Sequence, residues 1–141
     1  MQKIIITRLL LAALFLSPNW AQSAECDFLK SNIAKERDLV KRRALYLQAV
    51  AQCPDDTGLL YGYGFSLERL RRYDEALRQY QQAVDLDPNM AKAYFSMGDI
   101  YAAQGKLDDA VLIYQMGLQV DPYNARALKK IKELLQESRH N

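Results

Sequence analysis

The sequence predicts an all-α fold, an α-solenoid of antiparallel helix pairs, on three observations. First, the same residue types return at a stride of 34: Pro54, Pro88 and Pro122; Gly64 and Gly98; Ala76 and Ala110; Tyr80 and Tyr114; Asp87 and Asp121. Second, apolar residues within each copy recur at helical spacing, as in Leu60, Tyr63, Leu67 and Leu70. Third, a proline closes each copy, because the residue before proline is pushed out of the α region. A fixed period of this length marks stacked helical hairpins, each burying its face on its neighbour.

Residues 1–23 stand apart from the repeats and are expected to form a cleaved signal peptide. Lys3 and Arg8 give a positive start, Leu9 to Leu16 form an apolar run, and Ser17-Pro18 breaks it. Ala21-Gln22-Ser23 then offers small residues to a signal peptidase. The run is shorter than the ~20 residues needed to cross a bilayer, so an uncleaved anchor is the weaker alternative. A lipoprotein site at Cys26 is disfavoured by Glu25 before it. An exported protein is the expectation, periplasmic first and extracellular second.

The units follow in order. In 57–90, Leu60, Tyr63, Gly64 and Leu67 form the inner face of a first helix, and Arg71-Arg72-Tyr73 is a turn. Ala76, Leu77, Tyr80, Ala83 and Val84 then line a second helix, which Asp87-Pro88 ends. Residues 91–124 repeat the scheme, with Gly105-Lys106-Leu107 as the turn. The small residues Gly64, Ala76, Gly98 and Ala110 are expected where two helix backbones come close. Residues 24–56 keep Tyr46, Ala49 and Pro54 in register, but Lys30 stands at the glycine place and Arg42 at the alanine place. Residues 125–141 supply a last helix, Ala125 to Ser138, and a tail, with Leu128, Ile131, Leu134 and Leu135 expected inward and Lys129, Lys130, Lys132, Glu133 and Glu137 outward.

The pattern resembles the tetratricopeptide repeat. Leu60, Tyr63, Gly64 and Leu67, then Tyr94, Met97, Gly98 and Tyr101, occupy that family's first-helix places. Ala76, Tyr80, Ala83 and Pro88, then Ala110, Tyr114, Gly117 and Pro122, occupy its second. Gly117 is the one departure, expected to loosen its helix by up to ~1 kcal/mol. The resemblance spans 57–124, makes 24–56 a degenerate first unit and makes 125–141 a capping helix and tail. It implies a scaffold whose first helices line a concave, peptide-binding groove.

Cys26 and Cys53 fall at the start and end of the degenerate unit, which are neighbours in an antiparallel pair. A structural disulfide is expected, since the spacing is wrong for a Cys-x-x-Cys centre. Closing the 27-residue loop would contribute about 3.5 kcal/mol by chain entropy. Two buried free thiols are the alternative.

Groove-facing places lie roughly 100° around from the packed face. They hold Tyr61, Phe65, Glu68 and Arg69, then Lys92, Phe95, Asp99 and Ala102, then Arg126 and Lys129. Aromatic and arginine side chains at an exposed surface are typical anchors for a protein partner; packing of Phe65 and Phe95 between helices is the alternative. The family's lysine and asparagine clamp for a C-terminal carboxylate is not expected, because Ala24, Phe28, Gly62, Lys92 and Ser96 hold its places and only Lys92 fits.

Other functions find little support. Without Lys3 and Arg8, 17 basic residues face 17 acidic ones, too even for a nucleic-acid binder. Gly62-x-Gly64 lacks the lysine of a phosphate loop. Lys41-Arg42-Arg43 and Arg69-x-Arg71-Arg72 are offset by neighbouring acids. The single histidine, His140, sits one residue from the C-terminus. No catalytic residue, metal site, cofactor or small-molecule substrate is expected. The leading expectation is a non-enzymatic adaptor for a protein or peptide segment. A self-associating structural subunit comes second and a thiol–disulfide oxidoreductase third.

Overall fold

The computed structural model describes residues 19–140. Seven helices succeed one another there and no strand occurs among the described residues. They are α1 (Asn19–Lys35), α2 (Leu39–Gln52), α3 (Thr57–Arg69), α4 (Tyr73–Leu86), α5 (Ala91–Ala103), α6 (Leu107–Val120) and α7 (Ala125–Glu137). Each packs on the next, most extensively α3 on α4 and α5 on α6, and α3 also touches α5. Residues 1–18 of the expected signal segment lie outside the described residues, while 19–23 open α1. No helix among the described residues is long and apolar enough to cross a membrane.

Local chemistry sets the helix starts. Asp38 caps α2 through the Lys41 amide at 2.8 Å, Asp56 caps α3 through Leu59 at 2.9 Å, and Asn124 caps α7 through Ala127 at 3.1 Å. Helices α4 and α6 have no side-chain cap. Their first turns carry Asp74-Glu75 and Asp108-Asp109 instead, which complement the positive end of the helix dipole. Both follow a left-handed residue, Arg71 (φ 59°) in one unit and Gly105 (φ 74°) in the next. Arginine meets a steric penalty there that glycine escapes.

Four glycines seat aromatic rings, and this joins the helices. A Cβ on Gly64 would stand 2.7 Å from the Tyr80 ring, and one on Gly98 3.0 Å from Tyr114. A tyrosine ring, rather than the facing backbone, therefore fills the space that those glycines leave. Gly62 lies under Tyr46, where a Cβ would come within 2.5 Å. Tyr46 uses Gly62 of the following unit because Lys30 occupies the glycine place of its own. Gly117 lies against the Phe95 ring, again with only 2.5 Å for a Cβ. The departure at Gly117 thus has a reason in packing.

Three buried clusters run along the chain. Leu60, Tyr63, Leu67, Ala76, Tyr80, Ala83, Met97 and Ile100 belong to the central one. Cys26, Ile33, Ala49, Cys53 and Leu59 form the N-terminal one. Phe95, Ala110, Tyr114, Ala127 and Leu134 form the C-terminal one. In the N-terminal cluster the Cys26 and Cys53 sulfurs lie at bonding distance, 1.97 Å, with Cα atoms 6.1 Å apart. Lys30 turns outward to Asp56 (2.6 Å) and Asp27 (3.3 Å).

The expected inward face of α7 is corrected in part. Leu134 is buried and Ile131 half-buried, but Leu128 and Leu135 are 49% and 45% exposed. Ala127 takes the inner place because a small residue brings α7 close to Tyr114 in the C-terminal cluster.

Three outcomes are expected. Gly117→Ala should lower stability by about 1–3 kcal/mol in thermal unfolding, because overpacking against Phe95 outweighs the better helix propensity. Adding Phe95→Leu should return part of that loss. Arg71→Gly should raise stability by up to about 1 kcal/mol by relieving the left-handed backbone. If the bridge forms, intact mass should fall about 2 Da below that of the reduced protein, and two free thiols by titration would exclude it.

Candidate protein-binding groove

Helices α3 and α5 place most of the groove residues. Phe65 is 43% exposed, and Arg69 is exposed beside it. Tyr61 is half-buried, its ring 5.4 Å from that of Tyr80, and Lys92 Nζ lies 4.4 Å above the Tyr61 ring. An ammonium over an aromatic face is an electrostatic contact that also holds the lysine toward the groove. The Tyr61 hydroxyl lies 3.5 Å from Ser96 Oγ.

The acidic residues face inward to tyrosines. The Tyr80 hydroxyl donates to Glu68 at 2.7 Å, and the Tyr114 hydroxyl donates to Asp99. Asp99 also pairs with Arg126 from α7. Burial raises the Glu68 carboxyl above its ordinary range, against the Tyr80 hydrogen bond, and the nearby Asp99 charge adds to the rise. Burial and the acceptor carboxylates push both phenols up, so they remain donors. The Arg126 guanidinium is held charged chiefly by Asp99.

Phe95 is not in the groove. It is only 7% exposed, because Gly117 leaves room for its ring to sink toward Tyr114, 6.3 Å away between centroids. Ala83, at the Gly117 place of the previous unit, has a side chain there, and the Tyr61 ring meets that of Tyr80 at a tilt of 37°. Lys129 is also peripheral: it is highly exposed and reaches Glu133 of its own helix at 3.8 Å.

A cavity of about 360 Å³ opens between α2 and α3, walled by Arg42, Tyr46, Phe65, Ser66 and Arg69. Arg42 donates through Nε and Nη2 to the Glu36 carbonyl, which fixes its guanidinium at the wall. Burial raises the Tyr46 phenol while the Arg42 charge works against it. The other basic run has partners within its own turn: Arg72 pairs with Glu75, and Arg71 stands over the Tyr73 ring at 6.0 Å. Among the described residues no group of three or more His, Cys, Asp or Glu is placed to hold a metal ion.

The family model described as Tetratricopeptide repeat matches residues 64–125. Over residues 64–125 the chain carries tetratricopeptide repeats. Solved TPR structures share the fold. The first TPR of Spaghetti (RPAP3), bound to the HSP90 peptide SRMEEVD, is 23% identical with a TM-score of 0.76, covering 82% of this chain and 94% of that one. The second TPR domain of human RPAP3, in complex with the HSP70 peptide SGPTIEEVD, is 20% identical with a TM-score of 0.70, covering 83% and 98%. MamA is 20% identical with a TM-score of 0.68 over 71% of this chain, which spans only 58% of the MamA chain. No curated protein matches the sequence significantly.

The TPR register explains which groove residues were visible in sequence. It places Tyr61, Phe65, Glu68, Arg69, Lys92 and Asp99 on the first helices, but not the hydroxyls of Tyr80 and Tyr114 that reach Glu68 and Asp99. A buried tyrosine in place of phenylalanine is the signal, since its hydroxyl needs a partner. Arg42 had a signal too, as a long cation where later units hold Ala76 and Ala110.

Glu68 gives a pH test. A carboxyl raised on folding contributes stability fully below the ordinary carboxylate range and loses it as pH climbs through the raised value. Glu68→Gln should therefore gain on the parent protein more at neutral pH than at about pH 4, read by denaturant unfolding at both. A gap independent of pH would contradict the assignment.

Proposed function

We propose that this protein is an exported, non-enzymatic scaffold that holds a segment of a partner protein in the groove of α3 and α5. The observation that carries the reading is the half-exposed Phe65 ring, flanked by unpaired Arg69 and by Lys92 braced on Tyr61. Exposed aromatic and cationic side chains on packed helices supply contact area at little entropic cost. The peptide-bound RPAP3 domains support it as fold-level analogues. The stack comprises three units, 24–56, 57–90 and 91–124, and α7 is its cap. Cys26 and Cys53, both buried, act as a staple and not as a redox centre.

Self-association is the second reading, favoured by the exposed Leu128 and Leu135 on α7 and Leu112 on α6. Sedimentation of the purified protein separates the two, since self-assembly needs no partner.

The paired change Phe65→Ala, Lys92→Ala should leave the helical circular dichroism intact and cut partner capture at least ~10-fold in crosslinking from the native envelope. Undiminished capture would refute the groove. Export predicts a mature N-terminus at Ala24, checked by N-terminal sequencing of protein from the source cells; an intact Met1 there would refute cleavage.

A further inference from the structure

The cavity between α2 and α3 differs from the corresponding joint one unit on in several of its wall residues. Ser66 stands 34 residues before Ile100, which is fully buried in the central cluster. Gly62 stands before Ser96, and Arg42 before the buried Ala76. At the later joint Ile100 and Ala76 are buried side chains. Here the space is open and its wall is cationic.

Three arginines line it, Arg37 from the turn before α2, Arg42 from α2 and Arg69 from α3, and none is in an ion pair among the described residues. Among the described residues no acidic side chain lines the cavity. Ser66 is 2% exposed and its Oγ has no hydrogen-bond partner. A buried hydroxyl left unsatisfied costs stability and calls for an explanation. The remaining wall is apolar, from Leu39, Tyr46 and Phe65. At about 360 Å³ the space is far larger than a bare oxyanion or a water requires.

We propose that this cavity seats a glutamate side chain from the interior of the bound segment. Its carboxylate meets Arg42, Arg69 and the Ser66 hydroxyl, and its methylenes lie on Phe65 and Leu39. Planar guanidinium forks suit carboxylates, and a serine hydroxyl can donate once an acceptor arrives. The inference rests on the groove reading and adds to it the residue that the groove selects. It differs from capture of a chain terminus, because the seat lies at the α2–α3 joint and uses arginines instead of Lys92.

The test is a titration of the whole purified protein, labelled with nitrogen-15, followed by amide resonances. The probe is N-acetyl-glutamate N-methylamide, which mimics an internal glutamate. Saturable shifts at Gly62, Phe65 and Ser66 are expected, with the glutamine analogue about 10-fold weaker. Arg69→Gln and Ser66→Ala should each weaken the probe several-fold while leaving the spectrum folded. Absent shifts, or equal shifts with the glutamine analogue, would overturn the seat. So would tighter binding of N-acetyl-alanine, a chain-terminus mimic, or of inorganic phosphate. The two readings fail separately: capture that survives Phe65→Ala, Lys92→Ala removes the groove, whereas a silent titration removes the seat and leaves the groove standing.

Discussion

Everything in this stack depends on aromatic rings seated against glycines of neighbouring helices. Tyr80 on Gly64, Tyr114 on Gly98, Tyr46 on Gly62 and Phe95 on Gly117 each set how closely two helices approach. A methyl group at any of these places would meet ring carbons at 3.0 Å or less. The cost of glycine within a helix, about 1 kcal/mol, is offset by the buried area of a whole ring. The two tyrosines that seat on α3 and α5 of their own hairpins also carry hydroxyls past the glycine to the groove. The contact that holds a hairpin together therefore also orders the surface it presents.

That surface is not a copied one. Tyr80 and Tyr114 hold equivalent places, yet their acceptors do not: Glu68 lies 12 residues before its tyrosine and Asp99 lies 15 before. The second carboxylate is also tied across to α7 through Arg126. Both acids are thus occupied internally, which leaves the cations Arg69 and Lys92 exposed on α3 and α5. Counting charges along α3 and α5 gives two acids against two cations; the contacts show that both acids have inner partners while Arg69 and Lys92 do not pair with them.

The fold was legible because a 34-residue stride repeats proline, glycine, alanine and tyrosine in fixed order, and each type has one physical reason to be there. Helix pairs, turns and the neighbouring positions of Cys26 and Cys53 follow from that register. The site was legible only to the face of a helix. Phe95 and Tyr61 share a register place, and what parts them is Gly117 against Ala83, a difference on another helix. Leu128 and Leu135 fit an amphipathic stripe, but α7 has no eighth helix beyond it among the described residues to cover them. The α2–α3 cavity was hidden for a related reason. Arg42 and Lys30 read as decay of the repeat pattern, and only three dimensions show Arg42 anchored on the Glu36 carbonyl and facing open space.

Tyr46 has a consequence for how such a chain can change over time. Its ring rests on the unit that follows, since Lys30 denies it a seat at home. The first hairpin therefore cannot be swapped, duplicated or trimmed as a self-sufficient brick, because the mortar belongs to the next course. Recombination at unit boundaries would break this joint, while recombination through the middle of a hairpin would preserve it.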